Sequence, residues 1–162
     1  MAQALTARVT VAARRIEALL AVKIQDESFS SPAIQGVCYG DQFLIPSVPW
    51  ICVEPSPKSR QWPPTPTDMT ENTLEVGIYV YYMNSELGAS GSRLFVDELA
   101  EDVEFFLNAN HRRLQNAAGD DLVIYSYVYR VDPGYSRKTN GLFHASLLSW
   151  RGLTKTRLTD SA

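Results

Sequence analysis

Residues Thr73 to Met83 read TLEVGIYVYYM, and their alternation decides the fold. Successive side chains on a strand point to opposite faces, so Leu74, Val76, Ile78, Val80 and Tyr82 share one face while Thr73, Glu75, Gly77, Tyr79 and Tyr81 share the other. A second run, Leu122 to Val131, repeats the pattern, with Leu122, Ile124 and Val128 on one side and Val123, Tyr125, Tyr127, Tyr129 and Val131 on the other. Two such strands belong in one sheet with an aliphatic face and a tyrosine face. Helices can cover the aliphatic face, but five tyrosines, Tyr79, Tyr81, Tyr125, Tyr127 and Tyr129, need a different cover. Monomers seldom leave large apolar patches open without a use, and tyrosine suits a surface that is wet before assembly and buried afterwards. These five are therefore expected at a subunit interface. The alternative is that residues Asp26 to Pro49 fold back over them.

Two amphipathic helices are available for the aliphatic side. From Ala4 to about Lys23, Leu5, Val9, Ala12, Ile16, Leu19 and Leu20 recur at spacings of three and four, the signature of one helix face. Arg8 and Arg15 lie seven apart on its outer side, with Arg14 and Glu17 on the flank. They form either a solvated surface or a basic stripe that meets an acidic patch on a neighbouring copy. Phe95, Leu99, Val103, Phe106 and Leu107 mark the second helix, with Ser92 as its expected N-cap and its end near Leu114. Its outer side is acidic, with Asp97, Glu101 and Glu104 on one stripe flanked by Glu98 and Asp102.

Between these elements lie proline-rich connectors. Asp26 to Pro49 contains Pro32, Gly36, Gly40, Pro46 and Pro49, which forbids a long helix or strand but leaves room for a short extended piece at Gln42 to Ile45. Trp50 to Glu54, WICVE, reads as a short strand. From 54 to 72 the chain runs EPSPKSRQWPPTPTDMTEN, whose prolines hold it extended as a long hairpin loop. That loop carries Lys58, Arg60 and Trp62, expected to dock onto a partner. Its PxxP spacing is common by chance. Gly119 to Asp121 turn the chain into the second tyrosine strand, which is expected to end at Asp132, Pro133 and Gly134, leaving an exposed loop up to Gly141. Leu142 to Trp150, extending toward Leu158, is the last strand. The order is helix, strand, strand, helix, strand, strand. The expected fold is one α+β domain over 1–162, a two-layer sandwich with a four-stranded, mainly antiparallel sheet and both helices on one face.

Composition narrows the function. A chain of 162 residues with 45% hydrophobic and 20% charged residues has the makeup of a globular domain. A net charge of −3 disfavours tight nucleic-acid binding, which draws on a basic excess. Arg8, Arg14 and Arg15 interrupt the N-terminal apolar run, so no signal peptide is expected. No uncharged apolar stretch reaches the ~18 residues of a membrane span, and the chain is expected to be intracellular with Cys38 and Cys52 reduced.

Neither GxGxxG nor GxxxxGK[ST] occurs, so nucleotide hydrolysis has no visible machinery. Asp97, Glu98, Glu101, Asp102 and Glu104 could serve as acids or Mg²⁺ ligands, but they sit opposite the apolar stripe. Cys38, Cys52, His111 and His144 form no zinc-ligand pair of the usual spacing. A Cys38 and His144 nucleophile pair lacks an identifiable third group. The expectation is a protein that is not an enzyme and uses no cofactor or metal.

The whole layout, from the N-terminal helix through WICVE, the Pro-rich excursion, TLEVGIYVYYM and the acidic helix to LVIYSYVYRVD and LFHASLLSW, resembles the tail terminator proteins of long-tailed bacteriophages, also called tail completion or neck proteins. The resemblance covers nearly the whole chain and rests on length and element order. It implies a virion subunit that assembles into a hexameric ring, caps the tail tube and meets the head-side connector, with DNA passing through passively and no membrane involved. The same layout suits another neck or tube-related ring subunit. A monomeric binding module would need the tyrosine band covered, and an enzyme would need a pocket of converging polar groups.

Overall fold

A computed structural model of the chain describes residues 2–61, 69–84 and 88–157. In order these form α1 (Ala2–Lys23), β1 (Gly36–Tyr39), β2 (Trp50–Pro55), β3 (Arg60–Gln61), β4 (Met69–Tyr82), α2 (Gly88–Asn110), β5 (Tyr125–Lys138) and β6 (Gly141–Arg157). The sheet runs β1-β2-β4-β6-β5, with β3 also paired to β4. β1 and β2 are parallel, and the other pairs are antiparallel.

Both helices pack on the aliphatic face that the alternation of β4 defines. Leu74, Val76, Ile78 and Val80 are buried with Val9, Ala12, Ile16 and Leu20 of α1 and Leu99, Val103 and Leu107 of α2 in one core. Ile51 and Val53 of β2, Val128 of β5 and Leu148 and Trp150 of β6 belong to the same core. The expected α+β class therefore holds. The sheet is mixed rather than four-stranded, and the element order gains β1 and β3.

β1 escaped the periodicity argument because four residues between Pro32 and Gly40 carry too short a pattern. Its place comes from pairing, with Gly36 opposite Trp50. A Cβ on Gly36 would lie 2.3 Å from the Trp50 ring, so only glycine lets the indole lie against β1. Gly152 does the same for Trp150, where a Cβ would stand 2.5 Å from the ring and 2.8 Å from Val123. The extended piece expected at Gln42 to Ile45 is irregular instead.

β5 corrects two further expectations. A bulge between Val128 and Arg130 puts an extra residue in the strand and shifts its alternation, so Val131 packs against the helix-side core rather than standing with the tyrosines. Ahead of β5, Leu122 packs on that same core as expected, whereas Val123 is buried in it and Ile124 is exposed, each opposite to its expected side. The strand also runs straight through Pro133 to Lys138 and turns at Thr139 and Asn140. Among the described residues β5 is the outermost strand, paired only with β6, where a proline is tolerated.

The Pro-rich excursion is shorter than the sequence suggests. β4 begins at Met69, and Arg60 and Gln61 pair back onto Thr73 and Asn72. Trp62 and the Arg60 side chain lie outside the described residues. Ser92 is not the N-cap of α2, which starts at Gly88. Its buried hydroxyl lies inside the helix, accepting from the Asn84 N–H at 3.2 Å and donating to the Asn84 carbonyl at 3.0 Å.

Candidate functional site

The sheet face away from the helices is divided in two. At one end, residues 40–49 fold over it and build a second core of Ile45, Cys52, Tyr81, Phe143 and Ala145, with Trp50, Val48 and Tyr79 packed against it. This segment is pinned to the β5–β6 turn. The Tyr81 hydroxyl donates to Asp41 Oδ1 at 2.7 Å, and Lys138 Nζ donates to both Asp41 oxygens at 2.8 Å. Lys138 Nζ also stands 4.6 Å from the centre of the Tyr81 ring. The Asn140 carboxamide exchanges bonds with the Ile45 backbone at 2.8 and 3.2 Å, and the Thr139 N–H donates to the Phe43 carbonyl at 2.7 Å. Burial first, then Asp41, pushes the Tyr81 phenol far up, so it stays a donor. For Tyr81 the fold-back reading describes the structure, and this side chain is part of the chain's own interior.

The other end of that face remains open. Tyr125 and Tyr127 lie 5.7 Å apart between ring centres, and Tyr127 and Tyr129 lie 6.4 Å apart. Tyr125 is exposed, while Tyr79, Tyr127 and Tyr129 are half-buried. Beneath them the buried Glu75 carboxylate accepts from Arg151 Nε at 3.1 Å, Arg151 Nη2 at 2.8 Å and the Tyr129 hydroxyl at 3.1 Å. The guanidinium also covers the Tyr129 ring at 4.3 Å, so this buried charge is paired and hydrogen-bonded, as burial requires. A shallow cleft of about 210 Å³ adjoins it, lined by Glu54, Ser56, Lys58, Gly77, Tyr79 and Leu147. Lys58 is exposed at its rim. Burial, followed by Glu54 and Asp41, raises the Tyr79 phenol above its ordinary value.

On the helix layer the arginines are engaged within the chain. Arg15 Nε donates to the Gln115 carbonyl at 2.7 Å, holding the segment after α2. Arg14 lies 3.6 Å over the Tyr39 ring and bonds Glu17. Arg8 is half-buried. The exposed stripe of α1 is instead Val11, Arg14, Ala18 and Val22.

On α2, Asp97 pairs with Arg93, whose Nη1 also donates to the Gly134 and Ala145 carbonyls at 3.0 Å. That arginine ties α2 to both strands of the β5–β6 hairpin. Glu98 and Glu101 are exposed and Glu104 half-exposed. Burial, then Glu98 and Glu101, raises the Asp102 carboxyl above its ordinary value. Leu94 and Phe105 stand exposed beside these acids, Phe105 at 72%.

Sequence reasoning missed Arg93, Asp41 and Glu75 because each works through a partner distant in the chain. It also passed over Phe43, 88% exposed, and Leu44, an apolar pair inside a turn-rich connector. Cys38 and His144 are not brought together. Cys38 packs on the second core, whereas His144 pairs with Tyr82 on the helix side, next to Tyr135. Burial and Arg93 lower the His144 pKa and keep the ring neutral. Among the described residues no three His, Cys, Asp or Glu side chains group to hold a metal, and no helix is long and apolar enough to cross a membrane.

No protein-family model matches the chain, and no curated protein matches it.

Proposed function

We propose that this chain is a structural subunit of a tailed-bacteriophage virion, forming a ring that caps the tail tube and joins it to the head-side connector. The resemblance in length and element order supports the phage assignment, and one observation carries the ring. Large apolar side chains stand exposed on both layers of the sandwich, Phe43, Leu44 and Tyr125 on the sheet side and Leu94 and Phe105 on the helix side. A self-complementary dimer needs one such surface, whereas a head-to-tail ring needs two different ones. The ring holds six copies. The open tyrosines Tyr79, Tyr125, Tyr127 and Tyr129 form one contact surface, and Leu94 and Phe105 on the outer side of α2 form the other against the next copy. Beside them Glu98, Glu101 and Glu104 border the channel and discourage DNA from sticking as it passes. The Lys58 loop docks onto the tube or connector protein.

Phe105→Glu and Tyr127→Ala each test the two-surface arrangement, because each alters one surface and leaves the other intact. Under the conditions where the parent forms the ring, alone or with tail-tube protein, light scattering should show each variant at lower mass than the parent, and circular dichroism should show each one folded. Mixing the two variants at equal amounts should restore only short, unclosed species. Variants that keep the parent's mass would overturn the assignment of these surfaces.

A further inference from the structure

Cys38 and Cys52 sit directly opposite one another on the parallel strands β1 and β2, both turned to the second core. Their sulfurs are 3.2 Å apart. Neighbouring strands lie about 4.8 Å apart, inside the Cα separation that a disulfide spans, so bonding needs only a small side-chain rotation. Trp50 Nε1 donates to Cys38 Sγ at 3.4 Å and aims that sulfur at Cys52. The two thiols differ in access. Cys52 is fully buried, whereas Cys38 is half-buried.

The pair also brackets the segment that covers the sheet. Two residues after Cys38, Gly40 donates its N–H to the Val53 carbonyl at 2.8 Å. Next comes Asp41, the residue that Tyr81 and Lys138 hold. Cys52 begins the return.

We propose that Cys38 and Cys52 form a redox-active thiol pair, oxidised by small disulfides, whose closure locks residues 40–49 over the sheet. Cys38 is the attacking thiol. As its thiolate it bonds to one sulfur of a small disulfide, breaking the reagent's sulfur–sulfur bond and releasing one thiolate, which takes up a proton. Cys52 then gives its proton to solvent and attacks Cys38 Sγ, forming the internal bond and expelling the second reagent thiolate, which is protonated in turn. Two protein thiols lose two electrons, and one small disulfide becomes two thiols. Burial and the neighbouring Cys38 hold the Cys52 thiol protonated, which makes the second step the slow one, while its position beside Cys38 makes that step intramolecular.

The test uses the full chain with oxidised glutathione, read by intact mass and by thiol labelling after unfolding. The wild type should lose two hydrogen atoms, stay a single chain without reducing agent, and pass through a transient glutathione adduct. Cys52→Ser should stop at a stable adduct on Cys38. Cys38→Ser should remain unmodified while folded. The oxidised wild type should melt ~6–12 °C higher than the reduced form, as for a closed loop of this length in a chain of this size.

Three results would overturn the proposal. The wild type could end as a stable glutathione adduct with no internal bond. It could keep both thiols free under conditions where the urea-unfolded chain reacts. Or it could close without any rise in melting temperature, which would refute the lock.

Discussion

Replacing Tyr81 with alanine separates the two halves of the tyrosine face. Tyr81 is 1% exposed, packed among Ile45, Cys52, Phe143 and Ala145, and its hydroxyl anchors Asp41. Truncating a large buried aromatic costs about 3–5 kcal/mol, and the lost hydroxyl bond adds about 1 kcal/mol. In a chain of this size each kcal/mol moves the melting point by ~2–4 °C, so Tyr81→Ala should melt ~8–24 °C lower. Tyr81→Phe loses only the hydroxyl, and Lys138 still holds Asp41, so it should lose ~2–4 °C. Tyr127→Ala removes a half-buried ring whose neighbours are Tyr125 and Tyr129, a loss of about 1 kcal/mol or less. Thermal melts followed by circular dichroism measure all three. A Tyr81→Ala variant no less stable than Tyr127→Ala would refute the second core as a folding element.

Other expectations follow from single contacts. Gly36→Ala should displace the Trp50 indole, lowering the melting point and shifting the tryptophan emission to the red. An unchanged emission maximum would show that β1 gives way instead. Arg15→Glu should destabilise the fold by breaking the bond to Gln115, and Glu101→Arg should not rescue it. Restoration of assembly by that double change would reinstate an Arg15 contact across the subunit boundary. The Asp102 carboxyl has a folded pKa above its ordinary value, so its charged form opposes folding, and stability present at acid pH is lost as pH rises through the folded value. Asp102→Asn should therefore raise the melting point at pH 7 and leave it unchanged below the ordinary aspartate value of 3.8. An equal shift at both pH values would mean that packing, not charge, is responsible.

What the sequence made legible were patterns that repeat over enough residues. The alternation of Leu74, Val76, Ile78 and Val80 and the helical spacing of Ile16 with Leu20 and of Leu99 with Val103 each define a buried face without outside information. β1 was hidden because four residues cannot show a period, and its cue, Gly36 beneath Trp50, exists only once β2 is alongside. The extra residue in the bulge near Tyr129 leaves no local mark, so Val131 was assigned to the wrong face. The cover over Tyr81 depends on Asp41 meeting Lys138, residues far apart in the chain, and pairing of that kind has no signature in composition or spacing. The arginines of α1 were legible as a stripe, yet their engagement with Tyr39 and Gln115 was not.

Native mass spectrometry of the purified chain, alone and with tail-tube protein, distinguishes a closed ring from a single chain. A closed ring should give a discrete species at six times the mass of one chain, present alone or appearing on addition of tubes, with no ladder of larger oligomers. A single-chain mass under both conditions at high micromolar concentration would rule the ring out.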